Sequence, residues 1–277
     1  MMMKNVAGLV LVLCISAVAV FSQGASNQAN SNIVKKDLAP AEIDRIIKKF
    51  TKKEGEFHEA LKGYVFNRDA TVWTVGIGGN STGRYHRVSF MAINEDGSRF
   101  EKITEFPIST LTEISITPED LEDLGGVNPF ALEPSAVQEY NISYIGVEHI
   151  DELDLYVFDV TPKVIPDPKK SKQRLFTGRV WVDVDDLQIV KSRGKAVPET
   201  KQNKFPIVET YREQVDHKYW FPTYVEANDE LVFNSGQVVH IRMKVKYTDY
   251  RLGRSDVKII DDVPDAKPTP TPTPKKP

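Results

Sequence analysis

Residues 179–191 read RVWVDVDDLQIVK, with carboxylates at Asp183, Asp185 and Asp186. Carboxylates this close can open a calcium loop, form a catalytic acid pair, or mark a turn between strands. A calcium loop of the EF-hand kind wants oxygen ligands at positions 1, 3 and 5, glycine at 6 and glutamate at 12. Counted from Asp183, position 5 is Leu187, position 6 is Gln188 and position 12 is Gly194, so the loop fails. Neighbouring strand residues point to opposite faces, so Asp185 and Asp186 would not face one another across a substrate. The remaining reading is a hairpin. Val180, Val182 and Val184 share one face, and Trp181 and Asp183 the other. Asp185–Asp186 make the turn, where aspartate side chains bond nearby backbone N–H groups. Leu187, Ile189 and Lys191 open the return strand.

Working outward, the same alternation places strands at 138–150, 153–162, 174–184, 187–197, 205–216, 219–234 and 237–251. The last is the cleanest. Val239, Ile241, Met243, Val245 and Tyr247 alternate with His240, Arg242, Lys244, Lys246 and Thr248, which describes one buried and one wetted face. Upstream, YVFNRDATVWTVGI (64–77), RYHRVSFMAIN and RFEKITEF, separated by GGNSTG and EDGS, form a three-stranded meander. The glycine loop is not a phosphate cradle, because Gly83 is followed by Arg84 and a strand pattern rather than by Lys, Ser/Thr and a helix. Before the strands, Pro40 suits a helix start after Asp37 or Ala39. Ile43, Ile46, Ile47 and Phe50 form one apolar stripe, which Phe57 and Leu61 extend past Gly55. Residues 117–125, TPEDLEDLG, read as a short helix with Thr117 as cap and Asp120 completing a capping box. The 117–136 insert also carries Val127, Phe130, Ala131 and Leu132, and serves as a lid or a crossover. The fold class is α+β, mostly antiparallel β: a curved open sheet or half-barrel of about ten strands wrapped over an N-terminal helix and a short helical insert.

The chain opens MMMKNVAGLVLVLCISAVAVFSQG. Lys4 followed by an apolar run from Val6 to Phe21 is short for a membrane span and right for a signal peptide. Val20 and Ser22 suit cleavage after Ser22; the rival is lipidation at Cys14. Cleavage removes Cys14, the sole cysteine, and with it any disulfide, thiol nucleophile or thiolate metal site. The expected organisation is a signal peptide at 1–22, a flexible linker at 23–37, one domain at 38–263 and a Pro/Thr/Lys tail at 264–277. In that tail Pro268, Pro270, Pro272 and Pro274 preclude helix or sheet. The expected location is the periplasm or cell envelope. The mature chain would carry 35 basic and 39 acidic residues, which implies no face for nucleic acid.

FTGRVWVDVDDLQIVKSRGKA, together with ETYREQVDHKYWFPTYVEANDELVF downstream, resembles the LolA/LolB-like proteins, including the outer-membrane lipoprotein-sorting group. The shared features are a Trp-x-Asp strand (Trp181, Asp183), a turn, an Ile-Val-Lys return, and an aromatic-Phe-Pro step (Trp220, Phe221, Pro222). The resemblance covers roughly 140–251. It implies an open antiparallel sheet wrapped over helices around an apolar cavity, and a protein that carries or binds acyl chains. The chain departs from the dedicated carriers in its longer middle insert and its Pro-Thr tail. No functional residue of the family transfers beyond these hairpins.

Catalysis is the weaker class. His58, His86, His149, His217 and His240 are scattered, with no HExxH run and no G-x-S-x-G elbow. Ser143, His149 and Asp159 would have to meet in space, and no pattern requires it. No cofactor and no metal are expected. A sheet this large with little helix can leave apolar volume unfilled, which invites an apolar ligand. Candidate cavity residues are Val239, Ile241, Met243, Val245, Tyr247, Phe130 and Leu132. Trp73, Trp181 and Trp220 are candidates for mouth or wall, since indole tolerates one wet edge. The expected protein is a monomer that binds lipid or lipoprotein acyl chains. The alternative is an envelope interaction module with a filled core, tethered to a protein partner through its Pro-rich tail.

Overall fold

The computed structural model describes residues 32–94, 98–117, 120 and 132–253. One helix, α1 (Pro40–Leu61), precedes ten strands. These are β1 (Tyr64–Val75), β2 (Ser81–Ile93), β3 (Arg99–Glu105), β4 (Tyr140–Ile150), β5 (Leu153–Pro162), β6 (Leu175–Asp183), β7 (Ile189–Val197), β8 (Val208–Val215), β9 (Tyr219–Val232) and β10 (Val238–Leu252). They form one antiparallel sheet in the order β3-β2-β1-β10-β9-β8-β7-β6-β5-β4, open at β3 and β4. Among the described residues no helix is long and apolar enough to cross a membrane.

The helix starts where proline allows. Pro40 takes the first position, and the extended Ala39 offers its carbonyl to the N–H groups of Glu42 (2.9 Å) and Ile43 (3.1 Å). Its buried stripe is Ile46, Phe50, Thr51, Glu54, Phe57 and Leu61, a 3.6-residue period interrupted by one carboxylate. The N-terminal half packs on Phe158, Val160, Val180, Val182, Leu187 and Ile189, with Phe50 and Phe158 ring centroids 5.4 Å apart. The C-terminal half packs on Phe66, Phe221, Val245 and Tyr247, with Phe57 edge-on to Phe221 at 5.3 Å.

The opening hairpin closes more tightly than its pattern implies. Strand β6 ends at Asp183, whose carboxylate accepts the backbone N–H of Asp185 (2.9 Å) and Asp186 (2.8 Å). Asp186 in turn accepts Gln188 N–H (3.0 Å) and the indole N–H of Trp220 (2.7 Å). Burial pushes the Asp183 carboxyl up, against the pull of those two backbone donors. Leu187 does not open the return strand. It sits at φ 54 inside the turn, buried in the core under α1, and β7 begins at Ile189. A register shift opposite Trp181 and Val182 sends Ile189 to the helix face and Lys191 to the face of Trp181.

One further expectation changes. Ile33 and Val34, within the stretch expected to be linker, belong to the fold: Val34 exchanges backbone hydrogen bonds with Val147 on edge strand β4 (2.8 and 2.9 Å). A Cβ on Gly146 would strike Ile33 and the Val34 backbone, so glycine is what lets this segment lie against the edge. The capping box is present, with Thr117 N–H and Oγ1 donating to Asp120 Oδ2 (2.9 and 2.8 Å) and Asp120 N–H returning to Thr117 Oγ1 (3.2 Å). The rest of the expected 117–125 helix, Phe130, the signal peptide and the Pro/Thr/Lys tail lie outside the described residues.

Candidate functional site

Among the described residues, the side chains on the helix-bearing face of the sheet leave a gap. Between the two core clusters lies a cavity of about 540 Å³. Its floor is Val72 of β1, Ile241, Met243, Val245 and Tyr247 of β10, and Val225 and Leu231 of β9. Its far wall is Val208, Thr210 and Arg212 of β8, Ser192, Gly194 and Ala196 of β7, and Phe176 and Val180 of β6. Segments 113–117 and 202–206 and Leu132 border it.

The space has a local cause. On β7 the residues facing the helix after Ile189 are Ser192, Gly194 and Ala196, small side chains that stop short of α1. Gly178 and Gly194 face each other across β6 and β7, and a Cβ on either would collide with the Phe176 ring. Phe176 therefore lies along the sheet, over the glycine pair, instead of standing up into the gap.

One charged pair is set in this apolar wall. Arg212 donates from Nη1 and Nη2 to both oxygens of Glu54 (2.9 and 2.8 Å). Both residues are buried, at 9% and 2% exposure, and the guanidinium lies 5.0 Å over the Phe57 ring. Burial raises the Tyr247 hydroxyl to about 12, so the cavity presents it as a neutral phenol. A second charged cluster sits on the β1–β3 side of the same face. There Glu101 accepts from Arg68 (2.6 Å), Arg87 (2.9 and 2.7 Å) and Ser89. At one border of the cavity Lys195 (3.0 Å) and Lys204 (3.5 Å) share Glu199. Burial opposes charge on Glu199, but Lys195, the Phe205 N–H and Lys204 outweigh it and hold the carboxyl below its usual range.

Of the residues singled out from sequence, Ile241, Met243, Val245, Tyr247 and Leu132 border the cavity. Val239 shares their face but packs with Leu231, Ile241, Ile114 and Phe233 outside the lining. The three tryptophans are a correction: none lines the cavity. Trp181 follows Val180 and precedes Val182, so strand parity turns it to the opposite face, with Leu155, Val157 and Val190. Its indole N–H donates to Glu148 (2.6 Å), and Lys191 Nζ lies 4.9 Å from its ring. Trp220 packs against the same outer cluster, beside the inward Phe221. Trp73 follows the inward Val72 and is likewise absent from the lining.

No hydrolytic constellation assembles from the residues considered. Ser143 stands opposite Asp159, but Asp159 accepts Arg179 (2.8 Å), while His149 contacts Asp154 (2.8 Å). No cluster of three His, Cys, Asp or Glu suited to a metal occurs among the described residues.

Sequence reading missed the Glu54–Arg212 pair. Glu54 was visible as a carboxylate at helical spacing between Phe50 and Phe57. Arg212 gave little signal, because β8 has no clear apolar alternation and a register shift beside Arg212 breaks its period.

One helix on an open, mostly antiparallel sheet of ten strands is the fold class expected from the sequence. Solved structures with probability 1.00 include a LolA superfamily protein from Nitrosomonas europaea, at 14% identity and TM-score 0.33, covering 76% of this chain and 93% of that one. A DUF1329 family protein from Desulfovibrio piger matches at 13% identity and TM-score 0.36, over 76% and 96%. A domain classed with outer membrane lipoprotein-sorting proteins, from Vibrio parahaemolyticus, matches at 11% and 0.34, over 72% and 90%. No protein-family model matches the chain. No curated protein matches it in sequence. At such identities and TM-scores the likeness carries no argument about this chain, and function has to come from its own residues.

Proposed function

We propose that the protein is an exported envelope protein that holds an acyl chain, of a lipid or a lipoprotein, in this cavity and performs no chemistry on it. The observation that carries the reading is the cavity itself: about 540 Å³, with Val72, Ile241, Met243 and Val245 on its floor and Phe176 and Val180 on its wall. Small-molecule sites span roughly 300–1,000 Å³ and are mostly apolar with a few placed polar groups. Here those groups include the Glu54–Arg212 pair, Thr210 and Ser192, with Lys195, Asn203 and Lys204 at the border. Each buried CH₂ contributes roughly 0.8 kcal/mol, so a long acyl chain offsets the cost of its own immobilisation without polar contacts.

The test is native mass spectrometry of protein purified from its own envelope, followed by solvent extraction. A co-purifying lipid or acyl-peptide mass supports the reading and identifies the class. Bare protein that also fails to bind a fluorescent fatty-acyl probe favours the filled-core interaction module instead. That alternative predicts that deleting residues 264–277 changes the cell fraction in which the protein is found, and unchanged fractionation counts against it.

A further inference from the structure

All neighbouring strands are antiparallel, so each strand connection lies at one of two ends of the sheet. The end where β1, β5, β7 and β9 finish carries the long connections, 163–174 and 198–207 among them. The other end has short ones, such as 151–152 and 216–218. Most of the exposed aliphatic side chains follow this division, with Leu252 at the other end and Val34 against edge strand β4 as the exceptions. Ile77, Ile108, Val164, Ile165, Val232 and Val238 all belong to the long-loop end. The cavity reaches the same end, where Ser115, Asn203, Phe233 and Gln237 border it.

Charge is concentrated there too. Residues 163–174 read KVIPDPKKSKQR. They carry Lys163, Lys169, Lys170, Lys172 and Arg174 against Asp167 alone, in a chain whose net charge is −3. Asp167 is used within the loop: its carboxylate accepts Lys169 N–H (3.0 Å), and its carbonyl accepts Lys170 and Ser171 N–H (2.9 and 3.0 Å). Lys170 is 84% exposed with Asp167 at the 4.0 Å limit, and Lys169 and Lys172 form no ion pair among the described residues. Val164 and Ile165 beside them are 76% and 57% exposed. The 198–207 loop adds Lys201, its Lys204 being paired with Glu199 of the same loop, and Arg174 stacks 4.6 Å over Phe205 to join the two loops.

Aliphatic side chains spread singly around several loops, interleaved with exposed lysines, do not make a groove for a folded partner. They suit a fluid interface, in which side chains enter the acyl boundary while ammonium groups sit among phosphates. We propose that this end of the sheet docks on an anionic phospholipid bilayer, with loop 163–174 as its principal contact. The inference is independent of what fills the cavity, although docking would bring the cavity's loop-bordered end to the lipid.

The test is flotation of the chain from Gln23 onward, which keeps every described residue. Two vesicle types are compared: pure phosphatidylcholine, and an equal mixture of phosphatidylcholine and phosphatidylglycerol. Binding should need phosphatidylglycerol. It should fall away in molar salt, where the screening length drops to about 3 Å. A lysine near an anionic surface changes partitioning about fivefold, so the triple variant Lys169→Gln, Lys170→Gln, Lys172→Gln should lose about a hundredfold. All three lysines are exposed, and circular dichroism checks that the variant folds. A second variant, Val164→Ser with Ile165→Ser, should weaken what binding survives at high salt. Equal binding to both vesicles, binding to neither, or a folded triple variant that binds as well as the parent overturns the proposal. Loss of acyl-probe binding with vesicle binding intact would refute the cavity reading alone.

Discussion

Ser192 offers a test that separates an open cavity from a packed core by the sign of two effects. It lies on β7 opposite Val180 and Thr210, and all three side chains border the cavity. In Ser192→Leu, three carbons replace the hydroxyl and enter that space. If the space is available, the new side chain gains contact with Val180 and Phe176, and stability stays level or rises by up to ~2 kcal/mol, the usual scale for burying a leucine. The ligand loses the volume those carbons take. Three displaced CH₂ groups at roughly 0.8 kcal/mol each amount to ~2.4 kcal/mol, or about fiftyfold in Kd. Urea denaturation with and without a fluorescent fatty-acyl probe measures both effects. A filled core gives the opposite pattern, because overpacking costs ~1–3 kcal/mol. Loss of stability of that size with unchanged probe affinity refutes the reasoning.

Other perturbations test separate links. Arg212→Met leaves the Glu54 carboxylate buried without its partner and should cost ~3–5 kcal/mol, whereas Glu54→Leu with Arg212→Met should recover most of that loss; additive single effects in a double-mutant cycle would show that the pair is not coupled. Met243→Glu should weaken acyl-probe binding more than it lowers stability, and equal losses would make Met243 a core residue only. Asp183→Ala removes the acceptor for two backbone N–H groups and should cost ~1–3 kcal/mol, while Asp183→Asn keeps an oxygen there. Because the folded Asp183 carboxyl is raised by burial, the folded chain binds more protons than the unfolded one just above the ordinary carboxylate range, so stability falls as pH rises through it. Asp183→Asn should remove that slope in denaturation curves measured across it. Tyr64, raised by burial and by its bond to Asp216, and Tyr247, raised by burial, both titrate at about 12. Unfolded tyrosines ionise near ~10, so their contribution to stability is intact below pH 10 and lost between 10 and 12. Ultraviolet titration of the native protein showing both phenols ionising near 10 would contradict their burial.

Strand identity was legible because alternation is local. Val239 to Tyr247 reads as one buried face, and each of Val239, Ile241, Met243, Val245 and Tyr247 is buried in the structure. The hairpin was legible because aspartate beside aspartate between valine-rich runs has one good local use. Pro40 and the isoleucine stripe specified the helix in the same way. Each of these signals lies within a few residues of its own effect. The tryptophans were misplaced for a reason equally visible in hindsight: parity with Val72, Val180 and Phe221 assigns them to the opposite face, and that local rule outranks the general preference of indole for a pocket edge.

What only the tertiary structure decided is where the volume is missing. Alternation says which face is buried and cannot say whether that face is filled, because filling is a sum over side chains from β1, β6, β7, β8, β9, β10 and α1. The gap depends on small side chains at Ser192, Gly194 and Ala196 lining the same space as Glu54, and on Phe176 lying over a glycine pair whose members are sixteen residues apart. The Glu54–Arg212 contact joins residues 158 positions apart, and β8, where Arg212 sits, has almost no periodicity to betray its inward direction. Local patterns determine elements and faces because the chain's own geometry enforces them. A cavity and the charge set in its wall exist only once distant elements have packed.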